Sequence, residues 1–519
     1  MSEAAPVTPS EAAPSGDPEV LVLGAGPNGL SAAAVLARAG LRVLVLESNP
    51  NRWGGACGSD EGTLPGFVHD VGAAFFPFGK ASPAFVDLDL VGHGLEWCNA
   101  PIESSFPAPD GSNALLSRDL EQVAANFGDP RDGAKMAEIC RWHASIEAPL
   151  FEAFLKPLPP IRAGLRLLPF AALRIAYTFM ASGARLSRRW FRSEAARRVI
   201  PALALHTDVG PDDTFGAGIG YMLCVTASTG GYPVPKGGAQ AISDTLVRII
   251  EKHGGRVELG ARVTKIEVRG GRACAVKLAD GREIAATRAI VSNTAVPTLF
   301  TELIDQGHLP GRLVRKMENF VQGWGTFKMD WALDGAVPWT VDACRESAVV
   351  HAGDSLDDLS RFTLEARSGK IPTNPYLVLG QQSLADPSRA PAGAHTLWGY
   401  SRVPSNPEGG WRTHAERFAD DIEARIEAMA PGFRSTIQAR RIVAPPDLEA
   451  MSANLRGGDL GGGSNAWHRQ LIFRPAFPWF RYRTPVQGLY MSSSYTHPGA
   501  GVHGMCGWDA AQMVLRDLA

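Results

Sequence analysis

Three glycines near the start of the chain have a spacing that suits the binding of a pyrophosphate. They are Gly24, Gly26 and Gly29, in a G-x-G-x-x-G pattern. The apolar run 20–23 before them predicts a buried parallel strand. Gly24 allows a tight turn, Gly26 lets a pyrophosphate approach the backbone, and Gly29 allows close packing of the next helix on the strand. The phosphates would lie on the free N–H groups at the positive end of that helix.

An acid at the end of a second apolar run completes this unit. The helix predicted over 30–39 ends at Gly40, and the apolar run 41–46 then leads to Glu47. Glu47 stands close to the ~20-residue offset at which an acid binds a ribose hydroxyl, and it disfavours a ribose 2′-phosphate. Strand, glycine turn, helix, second strand and acid together predict a Rossmann-type domain that binds an adenine dinucleotide.

Length and composition limit the functions that this chain could have. Its 519 residues leave room for at least one domain beside the nucleotide domain. A formal net charge of −2 argues against a general nucleic-acid-binding protein. The seven cysteines form no C-x-x-C pair, so the sequence predicts neither a metal site nor a disulfide framework, and it favours a reducing, cytoplasmic compartment. Residues 1–17 lack a basic start and an apolar core, and they are predicted to be a disordered tail.

Three separated motifs resemble the flavin-binding motifs of the amine-oxidase and phytoene-desaturase superfamily. The first is the glycine pattern with Glu47, followed by the loop Arg52-Trp53-Gly54-Gly55. The second is Tyr-Pro-x-Pro-x-Gly-Gly at 232–238, and the third is Thr-His-Pro-Gly at 496–499. Many members carry Arg directly after the paired glycines, where this chain has Ala56. That departure is similar to the phytoene-desaturase-like branch and argues against a typical amine oxidase.

The resemblance implies that the dinucleotide is FAD. It implies that the backbone at Val263 contacts the adenine and that Asn293 closes over the nucleotide. The final helix, predicted over 508–518, would point its N-terminus at the flavin pyrimidine ring, where N–H groups and a helix dipole stabilise the negative charge of a reduced flavin. Ser493 stands where these proteins usually have glycine or alanine. The implied FAD-binding residues are Gly24, Gly26, Pro27, Asn28, Gly29, Glu47, Arg52, Gly54, Gly55, Val263, Asn293, Ser493, Gly504 and Met505.

The predicted fold class is α/β, with a discontinuous Rossmann-type FAD-binding domain of the glutathione-reductase-like kind and an inserted α+β substrate domain. The FAD-binding domain would comprise 18–100, 231–297 and 481–519, and the substrate domain 101–230 and 298–480. Later elements predicted for the first domain are a helix over 241–252 and strands at 256–259, 263–268 and 289–293, with hairpin turns at 270–271 and 280–281. Elements predicted for the second are strands at 326–333 and 395–400 and a helix near 414–429.

No acid–base pair is evident in the motifs, and none is required, because a bound flavin carries the difficult chemistry. Three residues in the motifs are catalytic candidates: Tyr232, His497 and His503. His503 stands where a small hydroxyl residue is frequent in the resembled family, so it is either a substrate contact or a pH-sensitive tuner of the flavin. The resemblance implies an FAD-dependent desaturase or dehydrogenase that moves hydride between the flavin and a small apolar, isoprenoid- or lipid-like substrate. Oxygen, a quinone or another protein would accept the electrons.

Three other functions remain open. A flavin amine oxidase would need an aromatic cage, which Tyr232, Trp467, Trp479 or Tyr495 could form. A redox-neutral isomerase would use reduced flavin on polyene bonds, as some relatives of phytoene desaturase do. A non-catalytic flavoprotein scaffold would keep the fold without turnover, although the intact glycines of all three motifs argue against it.

The segment 157–200 combines apolar and aromatic side chains with many arginines. This pattern is typical of a basic amphipathic helix that lies on an anionic membrane, and it would place the protein at the inner face of that membrane. The alternatives are a core helix with a solvated arginine face and a contact between copies in a homo-oligomer. Arg174 interrupts the apolar run, so a transmembrane helix is not predicted. The arginines are Arg162, Arg166, Arg174, Arg185, Arg188, Arg189, Arg192, Arg197 and Arg198.

Overall fold

The first sheet is built from short apolar runs that are buried on both faces, as parallel strands usually are. The computed structural model describes residues 17–519, so the predicted tail lies outside the described residues except for Asp17. Val20–Leu23 lies at the centre of the sheet, between Val43–Leu46 and Ala289–Ser292. All strand pairs in this first sheet are parallel. From one edge to the other, the strands are Leu489–Met491, Ala289–Ser292, Val20–Leu23, Val43–Leu46 and Arg256–Glu258.

Three helices pack on this sheet. Pro27–Arg38 begins directly at the glycine turn, earlier than the predicted 30–39, because the proline nitrogen needs no hydrogen-bond partner in a first turn. Gln240–Lys252 agrees with the predicted helix to within one residue. Met505–Leu518 begins before the predicted position 508, where Gly504 adopts a left-handed φ of +67° at the N-cap. The first of these helices packs against both of the others.

A small antiparallel sheet lies between the second and third of these helices in the chain. Its strands are Val263–Arg269, Arg272–Leu278 and Glu283–Ala285. Gly270 and Gly271, with φ of +56° and +77°, form the first turn, and the second turn contains Gly281. Both predicted hairpin turns are therefore confirmed.

A second, larger sheet has seven strands, which come from residues 102–116 and 325–443. Its neighbouring strands are antiparallel, except that Ile102–Ser105 pairs in parallel with Ser347–Ala352. The sequence Ile102-Glu103-Ser104-Ser105 gives no strand signal because it does not alternate, yet all four residues are buried. In order, the strands are Ile437–Val443, Gly325–Leu333, His395–Val403, Leu377–Gly380, Ser347–Ala352, Ile102–Ser105 and Leu115–Leu116.

Helices from both halves of the chain surround this sheet. The helix predicted near 414–429 is Trp411–Met429. Pro130–Leu155 is capped by Asp129, whose carboxylate accepts the backbone N–H groups of Arg131 and Asp132. Further helices of the described residues, not all of which contact this sheet, are Pro83–Asp87, Leu120–Asn126, Ile161–Leu167, Phe170–Met180, Gly183–Trp190, Glu194–Arg197, Val199–Ala204, Gly216–Thr226, Gly311–Glu318, Leu356–Arg367 and Pro445–Met451.

The segment 157–200 is not one amphipathic helix but a series of short helices separated by turns. The assignment of Arg198 to its basic surface is wrong. Arg198 is buried and donates to the backbone carbonyls of Phe106, at 2.6 Å, and Ser112, at 2.7 Å, so it ties the helices to the edge of the second sheet. Within residues 17–519, no helix has both the length and the apolar character that crossing a bilayer requires.

Candidate functional site

The glycine turn has the backbone geometry that its sequence predicts. Gly24 has a φ of +94°, which side chains rarely allow, and a Cβ at Gly29 would overlap the Gly24 carbonyl oxygen. A Cβ at Gly26 would meet, among the described residues, only the side-chain amide of Asn293, 2.9 Å away. Backbone conformation therefore explains Gly24 and packing explains Gly29, whereas the space at Gly26 beside the helix N-terminus suits an approaching phosphate.

Glu47 joins the glycine turn to the end of the second strand. One carboxylate oxygen accepts the Ala25 N–H at 2.7 Å, and the other accepts the Asn49 N–H at 2.8 Å. The Glu47 carbonyl accepts the N–H of Ala261 at 2.8 Å, which brings the strand that starts at Val263 beside the acid. The acid and the Val263 backbone thus lie together, as a ribose and its adenine would require.

The loop that contains Arg52 lies against the glycine turn. The Gly54 N–H donates to the Ala25 carbonyl at 2.8 Å, and a Cβ at Gly55 would lie 3.7 Å from the Gly26 Cα. Arg52 donates to the Gly55 carbonyl at 2.9 Å and so holds the paired glycines in position. The two glycine-rich loops therefore form adjacent walls of one cradle.

Asn293 closes the opposite side of the cradle. Its backbone N–H donates to the Leu23 carbonyl at 2.8 Å, and its side-chain amide donates to the Gly24 carbonyl at 3.3 Å. Its own carbonyl accepts the Asn454 side-chain amide at 2.7 Å. Asn293 therefore connects the cradle to the segment that contains Asn454.

The final helix brings its N-terminus to the same place. A Cβ at Gly507 would overlap the backbone carbonyl oxygen of Asn28, so the first turns of the two helices are in direct contact. The Met505 N–H donates to His503 Nδ1 at 3.1 Å, directly after the left-handed Gly504. The positive ends of two helix dipoles therefore converge on one site, which favours a ligand with negative charge.

Several buried polar atoms around the cradle have no hydrogen-bond partner among residues 17–519. They are Asn28 Oδ1, Ser492 Oγ, Ser493 Oγ and His503 Nε2. Buried polar groups in proteins are normally paired, so these atoms indicate contacts that a bound molecule would make. Pro27, which has no N–H group, begins the first helix, so the N–H groups of Asn28 and Gly29 belong to its first turn, next to the Gly26 N-cap. Together these residues fit an FAD molecule.

A cavity of about 320 Å³ lies between the cradle segments and the second sheet. Residues 72–75, 77–78, 497–498 and 500–502 form its wall on the cradle side. On the sheet side, strand Ser347–Ala352 contributes Val349 and His351, and strand His395–Val403 contributes Trp398, Tyr400 and Arg402. Its lining is mainly apolar and includes Phe75, Phe78, Phe154, Phe179, Phe215 and Met222. Such a space accepts a small apolar molecule next to the cradle.

Two catalytic candidates line this cavity, but their polar atoms already have partners. The Tyr232 hydroxyl donates to the Leu223 carbonyl at 2.7 Å, and burial raises its pKa well above the ordinary value. The His497 ring bonds through Nε2 to the Lys156 carbonyl at 3.2 Å, and burial lowers its pKa to about 4. Neither side chain is charged near neutral pH.

His503 has a structural role that the sequence did not indicate. Its ring accepts the Met505 N–H and so caps the final helix, and it is not among the residues that line the cavity. Burial lowers its pKa to about 4, and the nearby carbonyls of Gly499 and Ala500 offset only part of that effect. His503 is therefore neutral at physiological pH, and because its Nε2 has no partner among residues 17–519, its contact with a bound molecule stays a prediction.

The four aromatic residues proposed for an amine-binding cage do not come together. Tyr232 lines the cavity, whereas Trp467, Trp479 and Tyr495 do not. Trp467 is largely exposed, and Trp479 lies under the guanidinium of Arg312. The polar wall of the cavity instead contains His206, His351, Trp398, Tyr400 and Arg402, none of which lies in a recognisable sequence motif.

Comparison with known proteins agrees with this geometry. The family model for flavin containing amine oxidoreductases matches residues 28–400. Pyridine nucleotide-disulfide oxidoreductase domain-containing protein 2 of Rattus norvegicus is 28% identical over 550 residues, covering 96% of this chain and 94% of that protein. Hydroxyneurosporene desaturase of Cereibacter sphaeroides is 27% identical over 538 residues, covering 97% and 98%.

A solved structure has the same fold. Cyclohexylamine oxidase from Brevibacterium oxydans superposes with a TM-score of 0.60 at 17% identity, covering 97% of this chain and 100% of that chain. At this identity the similarity concerns the fold alone. The sequence-based prediction of an α/β fold with an FAD-binding Rossmann-type unit is confirmed. This chain belongs to the flavin-containing amine oxidoreductase family and is an FAD-dependent oxidoreductase.

Proposed function

We propose that this protein is a desaturase- or dehydrogenase-type enzyme that moves hydride between FAD and an apolar, isoprenoid- or lipid-like substrate. The observation that carries this proposal is the phenylalanine-lined cavity directly beside the cradle. The desaturase among the relatives supports the same class of reaction. Bound FAD would supply the hydride acceptor.

The side chains of this site favour orientation of the substrate and exclusion of water. The Tyr232 hydroxyl and His497 Nε2 are engaged with backbone carbonyls, so neither is free to move a proton in this geometry. Phe75, Phe154 and Phe179 instead supply flat apolar surfaces that would hold an extended chain and keep the reacting bond dry. The dispersed positions of the proposed cage residues argue against an amine substrate.

The test is anaerobic mixing of the purified holoenzyme with a polyene hydrocarbon, a long-chain lipid and a set of amines, followed by visible absorption of the flavin. We expect an apolar compound to bleach the oxidised flavin and the amines to leave it unchanged. Bleaching by amines alone would overturn the proposal. If no compound bleaches the flavin but the polyene changes its double-bond geometry after flavin reduction, the enzyme is an isomerase. If an apolar compound does bleach the flavin, mixing the reduced enzyme with oxygen or a quinone would identify the electron acceptor.

We also propose that the enzyme contacts a membrane through an exposed apolar surface beside the cavity, which we call the apolar patch. Phe170 and Phe179 lie on one helix, and Phe170 is 83% exposed while Phe179 lines the cavity. Leu471 is half exposed and also lines the cavity. The patch comprises Ile161, Leu165, Leu168, Phe170, Leu173, Tyr177, Met180, Leu471, Ile472, Phe473 and Phe477.

The apolar patch has two halves, residues 161–180 and residues 471–477, and a hydrogen bond connects the segments that flank them. Arg481, just after the second half, donates through Nε to the Leu158 carbonyl at 3.1 Å, just before the first half. Arg189 and Arg192 are exposed, and the Arg189 guanidinium lies 5.7 Å from the ring of Tyr177 in the apolar patch. Both arginines would meet anionic headgroups. An apolar substrate could then pass from the bilayer into the cavity without crossing water.

A further inference from the structure

Four polar side chains form a continuous hydrogen-bonded chain in the sheet wall of the cavity. Ser104 Oγ lies 2.7 Å from His351 Nδ1, and His351 Nε2 lies 2.8 Å from His206 Nε2. His206 Nδ1 lies 2.9 Å from the Tyr400 hydroxyl. His206, His351 and Tyr400 line the cavity, whereas Ser104 is fully buried behind them.

The protons in this chain can be counted. Burial lowers the pKa of His206 to about 3 and that of His351 well below its ordinary value, so both rings are neutral and each carries one N–H. Burial raises the pKa of Tyr400 to about 12, so its hydroxyl keeps its proton. A hydrogen bond between the two Nε2 atoms requires that only one of them carries a proton. All donors in the hydrogen-bonded chain therefore point either toward Ser104 or toward Tyr400.

The two directions leave their spare proton at opposite ends. If every donor points toward Ser104, the Ser104 proton is left over, in a buried position where Ser104 has no second partner among the described residues. If every donor points toward Tyr400, the Tyr400 proton is left over, and Tyr400 lines the cavity. The second direction is favoured, because it places the spare donor at the cavity, where a bound molecule can accept from it, rather than behind the wall at Ser104.

A second spare donor lies next to the first. Trp398 Nε1 is buried without a hydrogen-bond partner among residues 17–519, and Trp398 lines the cavity. Trp398 and Tyr400 are two residues apart on strand His395–Val403, so they share one face, and their ring centroids lie 5.1 Å apart. One N–H donor and one O–H donor on the same wall of an apolar cavity match an acceptor oxygen.

We propose that the cavity binds an apolar molecule with one uncharged acceptor oxygen, such as a ketone or an aldehyde, and that Tyr400 and Trp398 donate to this oxygen. His206 and His351 are positioning residues, because they fix the direction in which the Tyr400 proton points. This inference rests on the proposed function and names the substrate class of the same site. A carboxylate is less suitable because both terminal nitrogens of Arg402, the cation in this wall, already donate to Thr326 and to the His206 carbonyl, and only Arg402 Nε has no partner among residues 17–519.

The test compares two probes on the holoenzyme by equilibrium dialysis: β-ionone, and the hydrocarbon in which CH₂ replaces its carbonyl. The ratio of their affinities is measured, because the two probes differ in hydration. We expect Tyr400→Phe to lower the ketone-to-hydrocarbon ratio about tenfold, the effect of one lost hydrogen bond. Tyr232→Phe is the matched control, since its hydroxyl already donates to Leu223, and it should leave the ratio unchanged.

An unchanged ratio in Tyr400→Phe would overturn the inference, as would tighter binding of the corresponding carboxylic acid, which would point to Arg402. Each variant is first checked for its FAD content, and if Tyr400→Phe does not fold, Trp398→Phe tests the second donor in the same way. The measurement does not depend on flavin reduction. If a hydrocarbon reduces the flavin but Tyr400→Phe leaves the ketone-to-hydrocarbon affinity ratio unchanged, the proposed function stands and this inference is wrong.

Discussion

Gly507 lies so close to Asn28 that a Cβ atom at position 507 would overlap the backbone carbonyl oxygen of Asn28. This contact joins the first turn of the final helix to the first turn of the helix that follows the glycine turn. Both helices direct their positive ends toward the cradle. The relation explains why the two ends of the chain together form one cofactor site.

Gly507→Ala should therefore separate the two helices. Because the overlap is with backbone, which cannot rotate away, we expect the free energy of unfolding to fall by about 1–3 kcal/mol and FAD affinity to fall with it. Gly164→Ala is the matched control, since Gly164 also lies in a helix and a Cβ there would meet nothing within 4 Å among the described residues. Chemical denaturation and FAD titration measure both effects. Equal behaviour of the two variants would show that the contact does not matter.

His497 should make stability depend on pH. Burial lowers its pKa to about 4 from an ordinary value of 6.5. Between these values the unfolded chain binds more protons, so the contribution of neutral His497 to stability is lost as the pH falls from about 6.5 to about 4. His497→Gln keeps a donor for the Lys156 carbonyl and does not titrate. We expect the stability difference between wild type and this variant to shrink by about 1.4 kcal/mol per pH unit in that window.

The measurement for His497 is chemical denaturation of both proteins at several pH values. The difference between the proteins is used because buried acids change stability in the opposite sense. Asp509, for example, has a pKa that burial raises well above its ordinary value. A stability difference that stays constant with pH would mean that His497 is not held neutral by the fold.

The apolar patch should control binding to lipid. We expect Phe170→Ser with Leu173→Ser to reduce sedimentation with anionic liposomes severalfold, because both side chains are more than two-thirds exposed and would enter the interface. Val86→Ser with Val91→Ser is the matched control, at exposed valines near the ion pair between Arg38 and Asp87. Equal sedimentation of the two double variants would remove the membrane proposal.

The arginines near the apolar patch should contribute through charge. We expect Arg189→Glu with Arg192→Glu to weaken binding to anionic vesicles but not to neutral ones. Sedimentation at low and high salt with both kinds of vesicle checks this expectation. A loss of binding that is the same for both vesicles would point to unfolding or packing rather than to charge.

The sequence predicts the cradle well because its chemistry is local. The spacing of Gly24, Gly26 and Gly29 follows from backbone geometry, and Glu47 follows from the length of one strand–helix–strand unit. The start of the final helix is less predictable, because Gly504 and His503 begin it three residues before the apolar periodicity does. Local patterns locate a helix more reliably than they locate its ends.

The polar wall of the cavity could not be predicted from sequence. Its hydrogen-bonded residues come from three strands, which carry Ser104, His351 and Tyr400, and from one turn, which carries His206. Only the tertiary fold brings them into contact. Arg198 illustrates the same limit, because a basic side chain in an arginine-rich segment gives no sign that it is buried and fully engaged by backbone carbonyls.

The most direct test of the account is the FAD content of purified Gly26→Val beside that of wild type. Within 4 Å, a Cβ at Gly26 would meet only the movable side-chain amide of Asn293 among the described residues, so the fold should persist while the approach of the pyrophosphate is blocked. We expect wild type to carry FAD and Gly26→Val to be folded, by circular dichroism, and free of it. A folded Gly26→Val protein with a full complement of FAD would contradict the assignment of the cradle.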